Sequence, residues 1–309
     1  ELPEVKVRAD GSMYSATLKI AEGCNNRCAY CIIPFIRGNY RSKRQEAVIA
    51  EAKALAEAGC RELILIAQDT TYYGYDLYGE YRLPQLLKQL CQIDGIRWIR
   101  LMYCYEDRIT DELIQTIRED DKICNYLDIP IQHASDNILK AMKRRSTNRS
   151  ITDKIAKLKE QIPDIHIRTT LITGFPGETE EDFDTLYDFV AEQRFARLGV
   201  FAYSQEEGTV AGQMPNQIDE EIKMERADSI MRLQMEISLE ENRSKIDTVQ
   251  EVIVDEIDED GSYIGRTRYD APEIDNAVIF TGKQEHKPGD MVMVHIDDAF
   301  DYDLAGTEV

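Results

Sequence analysis

The chain alternates strand-like apolar runs with helical patterns, and this alternation limits the folds open to it more than any other feature. A run such as residues 62–67 is apolar almost throughout, which is typical of a strand buried on both faces of a parallel sheet. Runs of this kind in succession, each followed by a helical pattern, predict a parallel sheet with right-handed crossovers. The runs are residues 14–20, 62–67, 98–103, 126–131, 165–172 and 197–202, and a long helical pattern over residues 219–244 follows the last of them.

The number of strand–helix units distinguishes among barrel types. A complete barrel of parallel strands has eight units in about 250 residues, whereas residues 14–245 provide six. We therefore expect an α/β fold in the form of a partial (β/α)6 barrel. A doubly wound open sheet remains the alternative, because periodicity alone does not separate the two arrangements.

The pattern changes after the long helical segment. Short stretches of alternating polarity follow closely on one another, and Asp260-Gly261 is a turn signal between two of them. Closely spaced strands of this kind predict a small all-β barrel. The stretches are residues 249–257, 263–268, 276–280 and 290–296, so we expect a linker remnant at residues 1–13, an α/β core at 14–245 and the small barrel at 246–309.

Net charge indicates the class of partner, and cysteine content indicates the cellular compartment. Against 58 acidic residues stand 37 basic ones, a net charge of −21, which makes nucleic acid an unlikely main partner and favours a basic one. No run of about 18 apolar residues is present, so we predict no membrane span. Seven cysteines, an odd number, indicate a reducing compartment, and we expect a cytoplasmic protein. The start at Glu1 has no initiator Met or signal sequence, so we interpret the chain as part of a longer protein.

Three of the cysteines lie close together after the first predicted strand. Cys24, Cys28 and Cys31 form the pattern C-x3-C-x2-C, and thiolates are soft ligands that select zinc, copper or iron–sulfur clusters. Structural zinc has four protein ligands, but no fourth Cys or His lies near this loop. Three thiolates leave one metal position open, which favours a cluster that binds a further molecule. A zinc site completed by a remote ligand, or three unrelated buried thiols, remain alternatives.

The cysteine pattern, with an aromatic residue before the third cysteine and a six-unit barrel around it, resembles the radical S-adenosylmethionine (SAM) superfamily. The resemblance implies that Cys24, Cys28 and Cys31 hold a [4Fe–4S] cluster whose fourth iron binds SAM. One electron then cleaves SAM to a 5′-deoxyadenosyl radical, and the barrel orients and shields the chemistry. Tyr30 would lie beside the adenine.

The resemblance also implies SAM contacts at the carboxyl ends of the strands, where barrels of this kind carry their sites. Gln68-Asp69-Thr70 stands where the superfamily commonly has Gly-Gly-Glu. Each candidate also has an ordinary structural interpretation, as a turn, loop, rim or core residue. The candidates are Gln68 and Asp69 for the SAM amino group, Gln132 for the ribose, Arg168 for the carboxylate, and Phe201 and Tyr203 for the adenine.

The resemblance narrows to the methylthiotransferases. The segments Ala21-Glu22-Gly23-Cys24 and Ile32-Ile33-Pro34-Phe35-Ile36-Arg37-Gly38 are similar to those around the cluster loop in that family. Its members combine an N-terminal domain, which holds a second [4Fe–4S] cluster, with a radical SAM core and a C-terminal β-barrel called TRAM. The resemblance covers the last two, so we expect that the second cluster belongs to an absent N-terminal domain and that this chain alone does not complete methylthiolation.

Two branches of that family differ in substrate, one modifying adenosine in transfer RNA and the other an aspartate of ribosomal protein S12. The segment at residues 67–74 resembles the second branch, because the first usually has Asn where Asp69 stands. Residues 248–309 contain 16 acidic and 4 basic residues, a surface that would attract a basic protein. We predict an aspartate methylthiotransferase core served by an electron donor. A transfer-RNA enzyme and an iron–sulfur electron carrier or sensor are the alternatives.

Overall fold

The first part of the chain forms a six-stranded sheet in which every neighbouring pair is parallel. The computed structural model describes residues 13–309, so the predicted linker at residues 1–13 lies almost entirely outside the described residues. The strands of this part are β1 (Ser15–Lys19), β2 (Ala21–Glu22), β3 (Arg41–Ser42), β4 (Glu62–Ile66), β5 (Trp98–Leu101), β6 (Ile123–Asp128), β7 (His166–Thr173) and β8 (Arg197–Ala202).

Strand order separates the two expected architectures. The order β1-β4-β5-β6-β7-β8 follows the chain without reversal, and β2 pairs with β3 in a separate short ribbon. In a doubly wound sheet, the order of the strands along the sheet would reverse at a switch point. The partial barrel is therefore confirmed.

Helices cover one face of the sheet. Strand side chains that point to this face, such as Leu18, Leu63 and Leu65, are fully buried in a core shared with the helices. The helices are α1 (Ile33–Arg37), α2 (Gln45–Glu57), α3 (Tyr75–Tyr78), α4 (Leu83–Leu90), α5 (Asp111–Glu119), α6 (Asp136–Ala141), α7 (Asn148–Gln161), α8 (Glu180–Gln193) and α9 (Glu220–Arg243). Among the described residues, no helix is both long and apolar enough to cross a membrane.

The last part of the chain closes into a five-stranded barrel, as predicted. One strand was not predicted, because its sequence Leu-Ala-Gly-Thr-Glu is short and contains a glycine. This strand, β13, pairs with β11 on one side and β12 on the other and so completes the closure. The strands are β9 (Val249–Ile257), β10 (Tyr263–Thr267), β11 (Val278–Thr281), β12 (Met291–Ala299) and β13 (Leu304–Glu308).

A second difference concerns β6. The sequence predicts a strand over residues 126–131, but the strand covers Ile123–Asp128. Pro130 has no N–H to give to a ladder, so the regular strand ends ahead of it.

The small barrel packs into the concave face of the partial barrel. Its Ile253 and Ala271 share an apolar cluster with Ile64, Trp98 and Tyr126 of the sheet. Buried charges cross the same interface as ion pairs, which they must do to remain in a dry environment. The pairs join Glu62 to Arg266 (2.6 Å), Arg168 to Asp275 (3.3 Å) and Arg197 to Asp270 (2.6 Å).

The contacts between the small barrel and the sheet lie mainly at one end of the strands. Glu62, Trp98 and Arg197 are the first residues of β4, β5 and β8. Because all strands are parallel, the small barrel covers the amino-terminal end of the concave face. The carboxyl-terminal end is left for a cavity.

Candidate functional site

A cavity of about 420 Å³ opens at the carboxyl ends of the first strands. Lys19 and Ile66, the last residues of β1 and β4, form part of its wall. The loop that follows β2 provides another part. Residues brought together there include Cys24, Cys28, Tyr30, Cys31, Gln68, Tyr103 and Tyr105.

The three thiols lie on one wall of this cavity and are free of disulfides. Burial raises the pKa of Cys24 to about 11, and it also raises the pKa of Cys31. Backbone N–H groups of Asn26 and Ile33 oppose these shifts. Cys24 and Cys31 are therefore protonated until a metal binds, and a coordinating thiol loses its proton to the metal's charge.

The spacing of the thiols distinguishes a cluster from a single zinc ion. Zinc needs all its sulfur ligands about 2.3 Å from one centre. Within residues 13–309, no three Cys, His, Asp or Glu side chains are arranged to hold one metal ion. A [4Fe–4S] cluster bonds each thiolate to a different iron, so its ligands need not converge on one point. Three thiols on the wall of an open cavity fit a cluster.

Glycine and backbone hydrogen bonds shape the cysteine loop. Gly23 has φ +79°, and a Cβ there would lie 2.3 Å from the carbonyl oxygen of Asn39, so only glycine fits. The N–H of Cys24 donates to Gly38 O at 3.2 Å, and the N–H of Ala29 donates to Met142 O at 2.9 Å. These two hydrogen bonds hold the cysteine loop to the segment after α1 and to the end of α6.

Gln68 contributes a free acceptor to the cavity. The residue lines the cavity and is half-buried. Its Oε1 is buried, yet it accepts no hydrogen bond from the described residues. A buried acceptor without a partner costs about 1–3 kcal/mol, so this oxygen is suited to a ligand that brings a donor.

Asp69 lies behind the cysteine loop and is 1% exposed. Asn26 Nδ2 donates to its Oδ2 at 2.9 Å, and Thr71 Oγ1 donates to its Oδ1 at 2.6 Å. Arg108 forms an ion pair with the same carboxylate and donates to Asn26 Oδ1 at 2.8 Å. The carboxylate is engaged by the protein, which favours a role in holding the loop.

Tyr30 lines the cavity beside the cysteines, whereas the remaining candidates lie elsewhere. Gln132 has φ +73° and is tied to β7 through its backbone, its N–H donating to Thr170 O at 2.9 Å. Phe201 is 63% exposed near the end of β8. Tyr203 is buried against Phe175, with ring centroids 5.4 Å apart.

Arg168 faces the concave side of β7 but is already paired. Its guanidinium lies 3.1 Å from Asp128 Oδ1 and 3.3 Å from Asp275 Oδ1. The second partner comes from the small barrel. A role of Arg168 in holding a SAM carboxylate would therefore compete with these two aspartates.

Tyr105 is a site residue that the sequence did not reveal. Its hydroxyl lies 3.3 Å from Cys28 Sγ. Burial raises the pKa of Tyr105 and of Tyr30, so both phenols keep their protons at neutral pH. Only its position in the sequence could have indicated this residue. Tyr105 follows the third strand of the sheet, and the loops after such strands reach the carboxyl-terminal edge.

Comparison with known families agrees with the two-part architecture. A model of the radical SAM superfamily matches residues 18–190. A model of the TRAM domain matches residues 246–309.

Curated relatives match nearly the whole chain. The ribosomal protein uS12 methylthiotransferase RimO of Clostridioides difficile (strain 630) is 55% identical over 293 residues, which are 95% of this chain and 66% of that protein. The protein of the same name from Lachnoclostridium phytofermentans is 52% identical over 310 residues, covering 99% of this chain and 70% of that protein. The chain thus spans about two thirds of the length of these relatives.

Solved structures share the fold at low sequence identity. Methylornithine synthase (PylB) superposes with a TM-score of 0.52 at 16% identity, over 74% of this chain and 64% of that one. The radical SAM methyltransferase TsrM from Kitasatospora setae, with tryptophan and a SAM analogue bound, gives 0.52 at 16% identity, over 62% of this chain and 36% of that one.

Proposed function

We propose, because this chain belongs to the radical SAM superfamily and to its family of ribosomal protein uS12 methylthiotransferases, that it is the catalytic core for methylthiolation of an aspartate in ribosomal protein S12. The observation that carries the proposal is the cavity at the carboxyl ends of the strands. It combines three free thiols with the unpartnered Oε1 of Gln68.

The thiols and the amide have different parts in this proposal. Cys24, Cys28 and Cys31 hold the [4Fe–4S] cluster, and Gln68 Oε1 accepts a hydrogen bond from the amino group of SAM. When bound, the cluster supplies the electron that cleaves SAM and starts hydrogen abstraction from the substrate. A low-potential one-electron donor is therefore a required partner.

Other residues of the chain keep the site in shape. Asp69 and Arg108 fix Asn26, and through it the conformation of the cysteine loop. Tyr30 and Pro34 line the cavity next to the thiols, and their apolar surfaces would limit the access of water to a bound cluster. A dry site protects a reactive species from side reactions.

The remaining candidates for contacts with SAM lie on β6, β7 and β8 or directly after them. Phe201 is exposed near the carboxyl end of β8, where an adenine could stack on it. Gln132 has a half-buried side chain beside β7 and could reach the ribose. Arg168 would have to exchange Asp275 for the SAM carboxylate, and Tyr203 would act through packing alone.

The substrate and the compartment follow from charge and from the relatives. The relatives are named for ribosomal protein uS12, and the acidic C-terminal barrel suits a basic protein better than RNA. Seven free cysteines agree with a reducing compartment, so the proposal includes a cytoplasmic location.

Anaerobic reconstitution with iron and sulfide tests the proposal. The protein should bind about four irons and, once reduced, should cleave SAM to 5′-deoxyadenosine, measured by liquid chromatography. Cys28→Ser should lose most of the iron and the cleavage. Cys60→Ser is the matched control, because this buried thiol lies outside the cavity and donates to Glu62 O at 3.0 Å, as a serine hydroxyl can.

Two other results of the reconstitution would contradict the proposed function. A cluster that forms without SAM cleavage would favour an iron–sulfur carrier or sensor. Cleavage that survives in Cys28→Ser would remove the cysteine loop from the chemistry.

A further inference from the structure

Two of the three cavity thiols have a hydrogen-bond partner among the described residues, and the partner of Cys28 differs in kind. The sulfur of Cys24 receives the backbone N–H of Asn26, two residues along the chain, at 3.5 Å. At Cys28 the hydroxyl of Tyr105 stands 3.3 Å from the sulfur, across 77 residues of chain.

The position of Tyr105 is fixed from several sides. Its N–H donates to Thr71 Oγ1 at 3.1 Å, which ties the loop after β5 to the loop after β4. The guanidinium of Arg144 lies 4.3 Å from the ring centroid, and that of Arg108 lies 5.5 Å away. Arg144 is itself 2% exposed and paired with Glu106 at 2.9 Å.

This arrangement makes the phenol a preorganised donor. A thiolate sulfur bound to iron has no proton, so in the pair with Cys28 the hydroxyl of Tyr105 must donate. Two cations near the ring draw electron density from it and strengthen the donor. Removal of the hydroxyl would leave the ring, its cation contacts and the backbone hydrogen bond in place.

We propose that Tyr105 is a positioning residue that raises the reduction potential of the cluster through a hydrogen bond to the Cys28 thiolate. The inference rests on the proposed function, which places a [4Fe–4S] cluster on the three cysteines. Reduction transfers one electron from a low-potential donor protein to the cluster, and the added negative charge is shared with the thiolate sulfurs. A hydrogen bond to such a sulfur stabilises the reduced form more than the oxidised form.

The test is a redox titration of the reconstituted protein without SAM, followed by electron paramagnetic resonance. Tyr105→Phe should reduce the ratio of reduced to oxidised cluster about tenfold at a fixed poise, which is a midpoint about 59 mV lower. Tyr103→Phe is the matched control, because Tyr103 lines the same cavity and its hydroxyl makes no hydrogen bond to a thiol in the described residues. Its midpoint should equal that of the unmodified protein.

A second replacement changes the potential in the opposite direction. A ring-fluorinated tyrosine at position 105 is a more acidic phenol and a stronger donor, so it should raise the midpoint. This variant decides the matter if Tyr105→Phe does not assemble the cluster. Equal midpoints in the unmodified protein and the Tyr105 variants would overturn the inference, whereas failure of the unmodified protein to bind a cluster would overturn the proposed function itself.

Discussion

Gln68 and Asp69 are neighbours in the chain, yet their side chains serve opposite sides of the cysteine loop. Gln68 points into the cavity with an unpartnered oxygen, and Asp69 points away from it into a network with Asn26 and Arg108. Asp69 also accepts a hydrogen bond from the N–H of Tyr72 at 3.2 Å, so its carboxylate is engaged within the protein while the Gln68 oxygen is not. This separation gives the two residues different predicted phenotypes.

Loss of the Gln68 amide should weaken SAM binding without affecting the cluster. Gln68→Ala removes an acceptor for a charged amino group, a hydrogen bond of about 1.5–3 kcal/mol, so the Kd for SAM should rise at least tenfold. Iron content should be unchanged. Gln68→Glu keeps an acceptor oxygen and should bind SAM nearly as the unmodified protein does. Equal affinities by isothermal titration in the Ala variant would contradict the assignment.

Loss of the Asp69 charge should affect the loop instead. Asp69→Asn leaves the buried guanidinium of Arg108 without a counter-charge, and breaking a buried pair in this way costs about 3–5 kcal/mol. The midpoint of thermal unfolding and the iron bound after reconstitution should both fall. Asp111→Asn removes a carboxylate that is 78% exposed and, within residues 13–309, forms an ion pair with Lys157 alone. It should change neither. A fully loaded, stable Asp69→Asn protein would show that the network is dispensable.

At the scale of elements, the sequence predicts what local pattern determines and misses what topology brings together. Alternating apolar runs identify the sheet, and three close thiols identify the part of the cavity that is proposed to hold the cluster. The pairing of Arg168 with Asp275 could not be predicted, because Asp275 belongs to the small barrel. Tyr105 likewise meets Cys28 only through the strand order β1-β4-β5, which brings the cysteine loop and the loop after β5 to the same edge of the sheet.

The loop between β10 and β11 shows how the two parts of the molecule are held together. It carries Asp270, which accepts hydrogen bonds from Arg197 Nε (3.0 Å) and Nη2 (2.6 Å). Burial alone would raise the pKa of Asp270, but Arg197 and Lys245 lower it to about 2. Its stabilising contribution is therefore complete above the ordinary pKa of 3.8 and is lost as the pH falls towards 2.

Removing one charge of the Arg197–Asp270 pair should lower the free energy of unfolding more than removing both charges. Asp270→Asn leaves Arg197 buried beside a neutral amide, and at neutral pH the free energy of unfolding should fall by about 3–5 kcal/mol. The double variant Arg197→Met with Asp270→Leu removes both charges and should be less destabilised than either of its component single variants, Arg197→Met and Asp270→Leu. Denaturant unfolding followed by circular dichroism measures the free energy of unfolding of each variant. Additive losses would mean that the residues do not act as a pair.

At the scale of the whole molecule, the exposed acidic hairpin belongs to the small barrel, whose ion pairs with the sheet lie mainly at the amino-terminal ends of the strands. Part of the negative charge of the small barrel faces inward, where Asp270 and Asp275 neutralise Arg197 and Arg168. Another part is exposed on the hairpin between β9 and β10, at Glu256, Asp258, Glu259 and Asp260. Because the small barrel covers the amino-terminal end of the strands, a partner that binds this hairpin must extend along the molecule to place its target residue in the cavity.

Such a partner should respond to charge at a distance from the chemistry. Neutralising the four hairpin acids with Gln and Asn should slow association with ribosomal protein S12 about tenfold at low salt, and the salt dependence of binding should become weaker. The matched control neutralises four exposed acids on the outer face of α8, and should bind as the unmodified protein does. These acids are Glu181, Asp184, Asp188 and Glu192.

The same binding measurement tests whether surface charge selects the proposed substrate. Acidic hairpins repel a phosphate backbone, since RNA binding depends on Lys and Arg replacing its counterions. At physiological salt we therefore expect S12 to bind more tightly than a transfer-RNA anticodon arm, and neutralising the hairpin acids should weaken S12 binding while strengthening RNA binding. Tighter binding of the anticodon arm to the unmodified protein would contradict the proposed substrate, because a surface that selects RNA cannot owe its selectivity to this hairpin.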